Sequence, residues 1–190
     1  GIIAGQASPY KRQLLRMASI NAICNQLAKR EGMILLSKSE DHESFHALIQ
    51  AVQKPAGFPD DLGALLLAVG AFFLNPPFAA RTLEQEDGER LIINLRQLDC
   101  FTFVENTVVL ARLIRTGRVT WPEFTAALQA SRYRQGLLDG YAARLHYFSD
   151  WIYDNQSQGF LQDITPALGG TPWRKEINFM TAHRDKYPDL

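Results

Sequence analysis

Two cysteines in 190 residues cannot build a disulfide framework, so cysteine count leaves the redox compartment open. Charge of either sign is not in excess: twenty Lys and Arg face twenty Asp and Glu. No basic surplus therefore points to nucleic acid as the main partner. A long hydrophobic run is missing as well. The longest, "LGALLLAVGAFFL" at 62–74, is far short of the roughly 20 residues a membrane span needs, and it reads as a core helix. There are no repeats and no low-complexity tracts. No leader is visible, and a chain that opens on Gly1 leaves export undecided. What remains is ordinary globular composition, 46% hydrophobic and 21% charged, in a chain that suits one domain, or one domain with an attached helical lobe.

The pattern along the chain is mostly helical. Met17, Ile20, Cys24 and Leu27 recur at helical spacing within residues 10–30, and Cys24 reads there as a small apolar filler. A second helix is expected from Ser39, with Phe45, Leu48, Ile49 and Val52 as its apolar stripe. "KPAGFPDD" breaks it, the apolar helix 62–74 follows, and "NPPF" at 75–78 stops that one. Residues 81–99 read as loop with one short strand near Leu91–Leu95. Further helices are expected at 101–115, from Trp121-Pro122, and at 137–154, with a final amphipathic segment from Trp173. Residues 1–60 are taken as a helical N-terminal region and 61–190 as the rest of the chain.

Two stretches carry chemistry. In "DHESFH", His42, Glu43 and His46 fit the His-Glu-x-x-His spacing in which two histidines face one zinc and the glutamate activates its water. The pattern sits in the first turn of its helix, beside the apolar stripe, and no third ligand stands out downstream. A solvated helix edge is the better reading, and no metal is expected.

In "LDCFTFVEN", Cys100 precedes a helix whose Phe103, Val104, Val108, Leu110, Ala111 and Ile114 should be largely buried. Thr102 and Glu105 match the capping-box spacing, which would start the helix just after the cysteine. Free N–H groups and the positive end of the helix dipole would then face the sulfur and favour thiolate over thiol. A buried, inert cysteine is the competing reading, and these features alone leave both open.

A resemblance narrows the choice. "FFLNPPFAARTLE" (72–84), "NLRQLDCFTFVENTVVLARLIRTG" (94–117), "ARLHYFSDWIYDNQSQGFLQDIT" (143–165) and "WRKEINFMTAHRDKYPDL" (173–190) resemble, in order, blocks of a bacterial cell-envelope family of N-acetylmuramoyl-L-alanine amidases in the NlpC-type papain-like superfamily. The resemblance implies an α+β papain-like fold, of which these residues would be the mostly helical N-terminal portion, 61–190 carrying the nucleophile helix. It implies an enzyme that cuts the amide between N-acetylmuramic acid and L-alanine in peptidoglycan fragments, without a cofactor, in the periplasm or cell envelope. Cys100 matches the nucleophile, which would form a thioester, with its own N–H as an oxyanion donor. Thr82 and Glu84 fall on a loop approaching the cleft; Arg144, His146, Tyr147 and Asp150 supply polar groups suited to a muropeptide. Arg144 and Asp150 also read as a simple ion pair.

The chain departs from the family pattern at Asn75-Pro76-Pro77-Phe78 and at Arg81, where glycine is usual. In papain-like enzymes the base is a histidine on a strand after the cysteine helix, expected here beyond Leu190, with His146 as the internal candidate. A muropeptide-binding module without catalysis and an endopeptidase cutting within the stem peptide are the alternatives.

Overall fold

The computed structural model describes residues 35–53, 59, 61–84 and 88–183. The helix expected over 10–30, with Cys24, lies outside these residues. The described chain is mainly helical, in the order β1 (Leu35–Leu36), α1 (Ser39–Val52), α2 (Leu62–Phe72), β2 (Leu91–Ile92), α3 (Cys100–Arg115), α4 (Trp121–Arg132), α5 (Phe148–Ser157) and α6 (Phe179–Ala182). Short 3-10 turns stand at Arg134–Gly136, Tyr141–Ala143 and Pro166–Leu168. The two strands pair in parallel, Leu35 with Leu91 and Leu36 with Ile92. Isolated bridges join Phe78 to Leu98 and Tyr133 to Arg144.

Apolar spacing decides which faces turn inward. Phe45, Leu48 and Val52 of α1, Leu65 and Val69 of α2, Val109, Leu110, Leu113 and Ile114 of α3, and Phe124 and Leu128 of α4 form one core. Leu91, Ile93, Leu95 and Leu98 thread through it and lead into Cys100. Helix α2 lies along α3, where Gly70 faces the Phe103 ring and the Thr107 methyl. Caps set the helix starts: Asp61 accepts from the Ala64 N–H at 2.8 Å, and Thr120 caps α4 ahead of Pro122. None of the described helices is long and apolar enough to cross a membrane.

Two charged anchors hold this core. Glu105 and Arg132, 1% exposed each, form a forked pair between α3 and α4, with Arg132 Nη2 to Glu105 Oε2 at 2.7 Å and Nε to the same oxygen at 3.0 Å. Arg132 Nη1 also donates to the Ile92 carbonyl. Burial pushes the Glu105 carboxyl above its ordinary range, and Arg132 pulls against that. Asp41, fully buried, accepts from the Leu95 N–H at 2.9 Å and from Arg96 Nε at 3.0 Å, tying α1 to the segment before Cys100.

Several expectations are corrected. The cap of α3 is Asp99, and Glu105 is committed to Arg132 instead of a capping box with Thr102. The helix expected at 137–154 is not continuous: Gly140, at positive φ, precedes a 3-10 turn at Tyr141–Ala143, and Arg144 and Tyr147 are extended before α5 begins at Phe148. In the segment from Trp173, helix is confined to Phe179–Ala182 among the described residues, and residues 162–179 are exposed. Ser39 is the first residue of α1, and Lys38 occupies the cap.

Candidate active site

Cys100 is the first residue of α3 and is exposed. Asp99 makes this start. Its Oδ1 accepts from the Thr102 N–H at 2.8 Å, while its own N–H donates to Thr102 Oγ1 at 2.9 Å. The reciprocal cap leaves the N–H groups of Cys100 and Phe101 with no hydrogen bond among the described residues. Cys100 Sγ is likewise unbonded there. An exposed sulfur therefore sits where backbone donors and the positive end of a 16-residue helix converge.

A cleft opens beside it, lined by Ala80, Arg81, Leu83, Glu84, Asp99, Phe101, Arg144, Leu145 and His146. Three chain segments meet to make it. The Ala79 N–H donates to the Leu98 carbonyl at 3.1 Å, which lays the 80–84 loop against the entry to α3. The Leu145 N–H donates to the Arg132 carbonyl at 2.9 Å, which brings residues 144–146 along the end of α4. Phe101 meets Phe148 and Trp151 edge-on, at 6.0 and 6.1 Å, and so fastens α5 to the head of α3.

Arg144 crosses the cleft wall, 6% exposed. Its Nη2 lies 3.1 Å from Glu84 and its Nε 3.1 Å from Glu89, the second an ion-pair contact without hydrogen-bond geometry. Burial raises the Glu89 carboxyl above its ordinary range, although it accepts from Tyr133 Oη at 2.7 Å. The Arg144 guanidinium also stands 4.8 Å over the Tyr141 ring. His146 lies beside the same ring: its centroid is 4.3 Å from Tyr141's, and Nε2 is 2.8 Å from the Tyr141 carbonyl. A carbonyl only accepts, so Nε2 carries the proton and Nδ1 is the basic nitrogen. Burial lowers the His146 pKa below its usual value, against the pull of that hydrogen bond.

Of the residues singled out from sequence, Glu84, Arg144 and His146 line the cleft, and Cys100 stands between the lining residues Asp99 and Phe101. Cys100 itself, Thr82, Tyr147 and Asp150 are not among the lining residues. Thr82 Oγ1 is buried without a hydrogen-bond partner, Tyr147 precedes α5, and Asp150 forms a forked pair with Arg134, Nη2 to Oδ2 at 2.5 Å. Arg144 and Asp150 thus do not pair with each other. Asp99, Phe101 and Leu145 are cleft residues that sequence reasoning missed, as is Glu89 behind Arg144; a three-residue spacing from Asp99 to Thr102 was the available signal for the cap. Arg81, the departure from glycine, has φ 61°, the left-handed region in which glycine is unstrained. In the zinc-like pattern, His42 stacks on Trp121 at 3.7 Å and His46 meets Phe45 edge-on. No three His, Cys, Asp or Glu come together among the described residues.

An exposed cysteine at a helix head beside a cleft of mixed lining is compatible with nucleophilic chemistry, and similarity to known proteins supplies the class, that of the amidases. A sequence model of the N-acetylmuramoyl-L-alanine amidase-like (AmiA-like) family matches residues 68–190, and the chain belongs to that family. Among solved structures it is similar to an N-acetylmuramoyl-L-alanine amidase from Bacteroides uniformis, at 38% identity and TM-score 0.63, over 68% of this chain and 54% of that one. It is also similar to a protein described as a putative xylanase from Bacteroides fragilis, at 40% identity and TM-score 0.58, over 62% of this chain and 52% of that one. The chain spans about half the length of these relatives. No curated protein matches it.

Proposed function

We propose that this chain carries the nucleophile of a peptidoglycan amidase, and that Cys100 attacks the amide between the lactyl group of N-acetylmuramic acid and L-alanine. The observation that carries the reading is the exposed Cys100 at the first position of α3, with open backbone donors around it and a cleft alongside. The sulfur, as thiolate, adds to the lactyl carbonyl carbon. The C–N bond then breaks, the alanine nitrogen leaves as an amine after taking a proton, and the muramoyl group stays on sulfur as a thioester. Water hydrolyses the thioester and restores the thiol. The Cys100 and Phe101 N–H groups are the donors available to the carbonyl oxygen as it gains charge.

Under this reading the scaffold is the nucleophile-bearing part of an α+β papain-like domain of NlpC type, taken as residues 61–190. The periplasm or cell envelope is where its substrate lies. Under this reading the base is a histidine outside the described residues, because among those residues no hydrogen bond joins His146 to Cys100. Glu84, Arg144 and His146 face the muropeptide, while Thr82, Tyr147 and Asp150 act behind them. One observation favours a second reading, binding without turnover: among the described residues no base touches Cys100 Sγ.

The test is release of the stem peptide from a muramoyl peptide, followed by chromatography, with the wild type and Cys100→Ala. Release that disappears in the variant, while the variant still binds the substrate, supports the amidase. Release that survives the substitution overturns it, and binding without release in the wild type gives the second reading.

A further inference from the structure

We propose that Arg81 is a specificity-determining residue of this cleft and reads a carboxylate on the peptide stem of the substrate; this rests on the amidase reading above. The cleft holds five lining residues able to carry charge: Arg81, Glu84, Asp99, Arg144 and His146. Four are engaged within the protein. Asp99 is spent on the α3 cap, Glu84 and Arg144 hold each other, and His146 donates to the Tyr141 carbonyl. Arg81 is exposed, and although its carbonyl accepts from the Glu84 N–H at 3.2 Å, its guanidinium alone of the five charged groups has no hydrogen bond or ion pair among the described residues. The wall it stands on therefore presents one uncommitted guanidinium, whose planar fork suits a carboxylate in a two-point hydrogen-bonded pair.

The backbone supplies a second, independent observation. Arg81 sits at φ 61°, where a β-carbon is disfavoured and glycine is at ease. It is one of two residues other than glycine with positive φ among those described, and the other, Gln135, is outside the cleft. A long cationic side chain held in a conformation that penalises any side chain marks a place where that side chain has work to perform. Any stem peptide released as an amine ends in at least one carboxylate, which gives the free cation its counterpart. The neighbouring Glu84 would repel such an anion, and its pair with Arg144, which also contacts Glu89, offsets part of that repulsion.

The experiment compares muramoyl-L-alanyl-D-glutamate with the same compound carrying carboxamides in place of both carboxylates. Each is titrated calorimetrically onto the full chain. The wild type is expected to bind the acid about 10-fold to 100-fold more tightly than the diamide, the range for a charge-assisted hydrogen-bonded pair, and to lose that preference at high salt. Arg81→Gly, which relaxes the backbone, and Arg81→Gln, which keeps the side chain but not its charge, should both bind acid and diamide alike. Arg81→Lys should retain part of the preference. Thermal melts of each variant report folding separately. Equal binding of acid and diamide by the wild type, or a preference that survives in the folded Gln and Gly variants, overturns the inference and leaves the amidase reading standing. Binding of neither compound overturns both.

Discussion

The Asp99–Thr102 cap decides where Cys100 stands. Were the helix to begin two residues later, the sulfur would leave the first turn and its open donors. Asp99→Ala should therefore cost about 1 kcal/mol of stability, the usual value of a lost cap, and slow alkylation of Cys100 by iodoacetamide more than that loss of stability explains. His146 makes a prediction in pH. Its folded-state pKa lies below its usual value of 6.5, so the unfolded chain binds the proton more readily. Stability should then fall as pH drops below that value, and be recovered as pH rises back through it. Urea denaturation between pH 5 and pH 7, taken as about that range, should show a slope that His146→Asn reduces. An unchanged slope would show that the ring is not held neutral by burial. At Arg81, exchange for glycine trades a left-handed penalty of about 1–2 kcal/mol against a glycine entropy cost of roughly 0.5–1 kcal/mol. Arg81→Gly should raise the urea midpoint modestly, in contrast to most substitutions at a cleft.

Helices α3 and α4 are joined by the forked Glu105–Arg132 pair, which no other cation or carboxylate replaces among the described residues. Removing one partner leaves the other buried and uncompensated, so Glu105→Ala should destabilise by about 3–5 kcal/mol. A double replacement by Leu at 105 and Met at 132 should recover most of that loss, because two apolar side chains need no counter-charge. Denaturant melts of the three variants check this. The same residue shows why the sequence misled. Thr102 and Glu105 have capping-box spacing, but the identical three-residue interval separates Asp99 from Thr102, and only the three-dimensional position of Arg132 decides between them. The stripe of α1 was legible because burial follows spacing: Phe45, Leu48 and Val52 lie where periodicity placed them. In α3, by contrast, the expected Phe103, Val104 and Val108 are half-buried, and Thr102, Glu105, Asn106 and Thr107 share the buried face with Leu110, Ala111 and Ile114. The break before α5 was not legible, since residues 137–147 carry apolar and aromatic groups at spacings that suit helix, and the chain turns extended at Arg144 and Tyr147, where no glycine or proline marks it.

Across the molecule, long-range pairings build the cleft, and these are what a linear reading sees least. Cys100 and the family blocks were legible as local sequence. That Arg144 would reach Glu84 and Glu89, and that Asp150 would turn to Arg134, depends on the Tyr133–Arg144 bridge, which no spacing announces. Asp41 is the counterpart on the other side, for it lies within the zinc-like stretch yet serves to hold Leu95 and Arg96 in front of the nucleophile helix. The reading that hinges on all of this is that the cysteine at the head of α3 takes the sugar-linked acyl group. The most direct measurement is acid-quenched mass spectrometry of the full chain mixed with a muramoyl peptide, with the adduct located by digestion. The account predicts a muramoyl group on Cys100, lost on exposure to hydroxylamine as a thioester is. A peptide-derived acyl group on that sulfur, or a muramoyl adduct on any other residue, would contradict it.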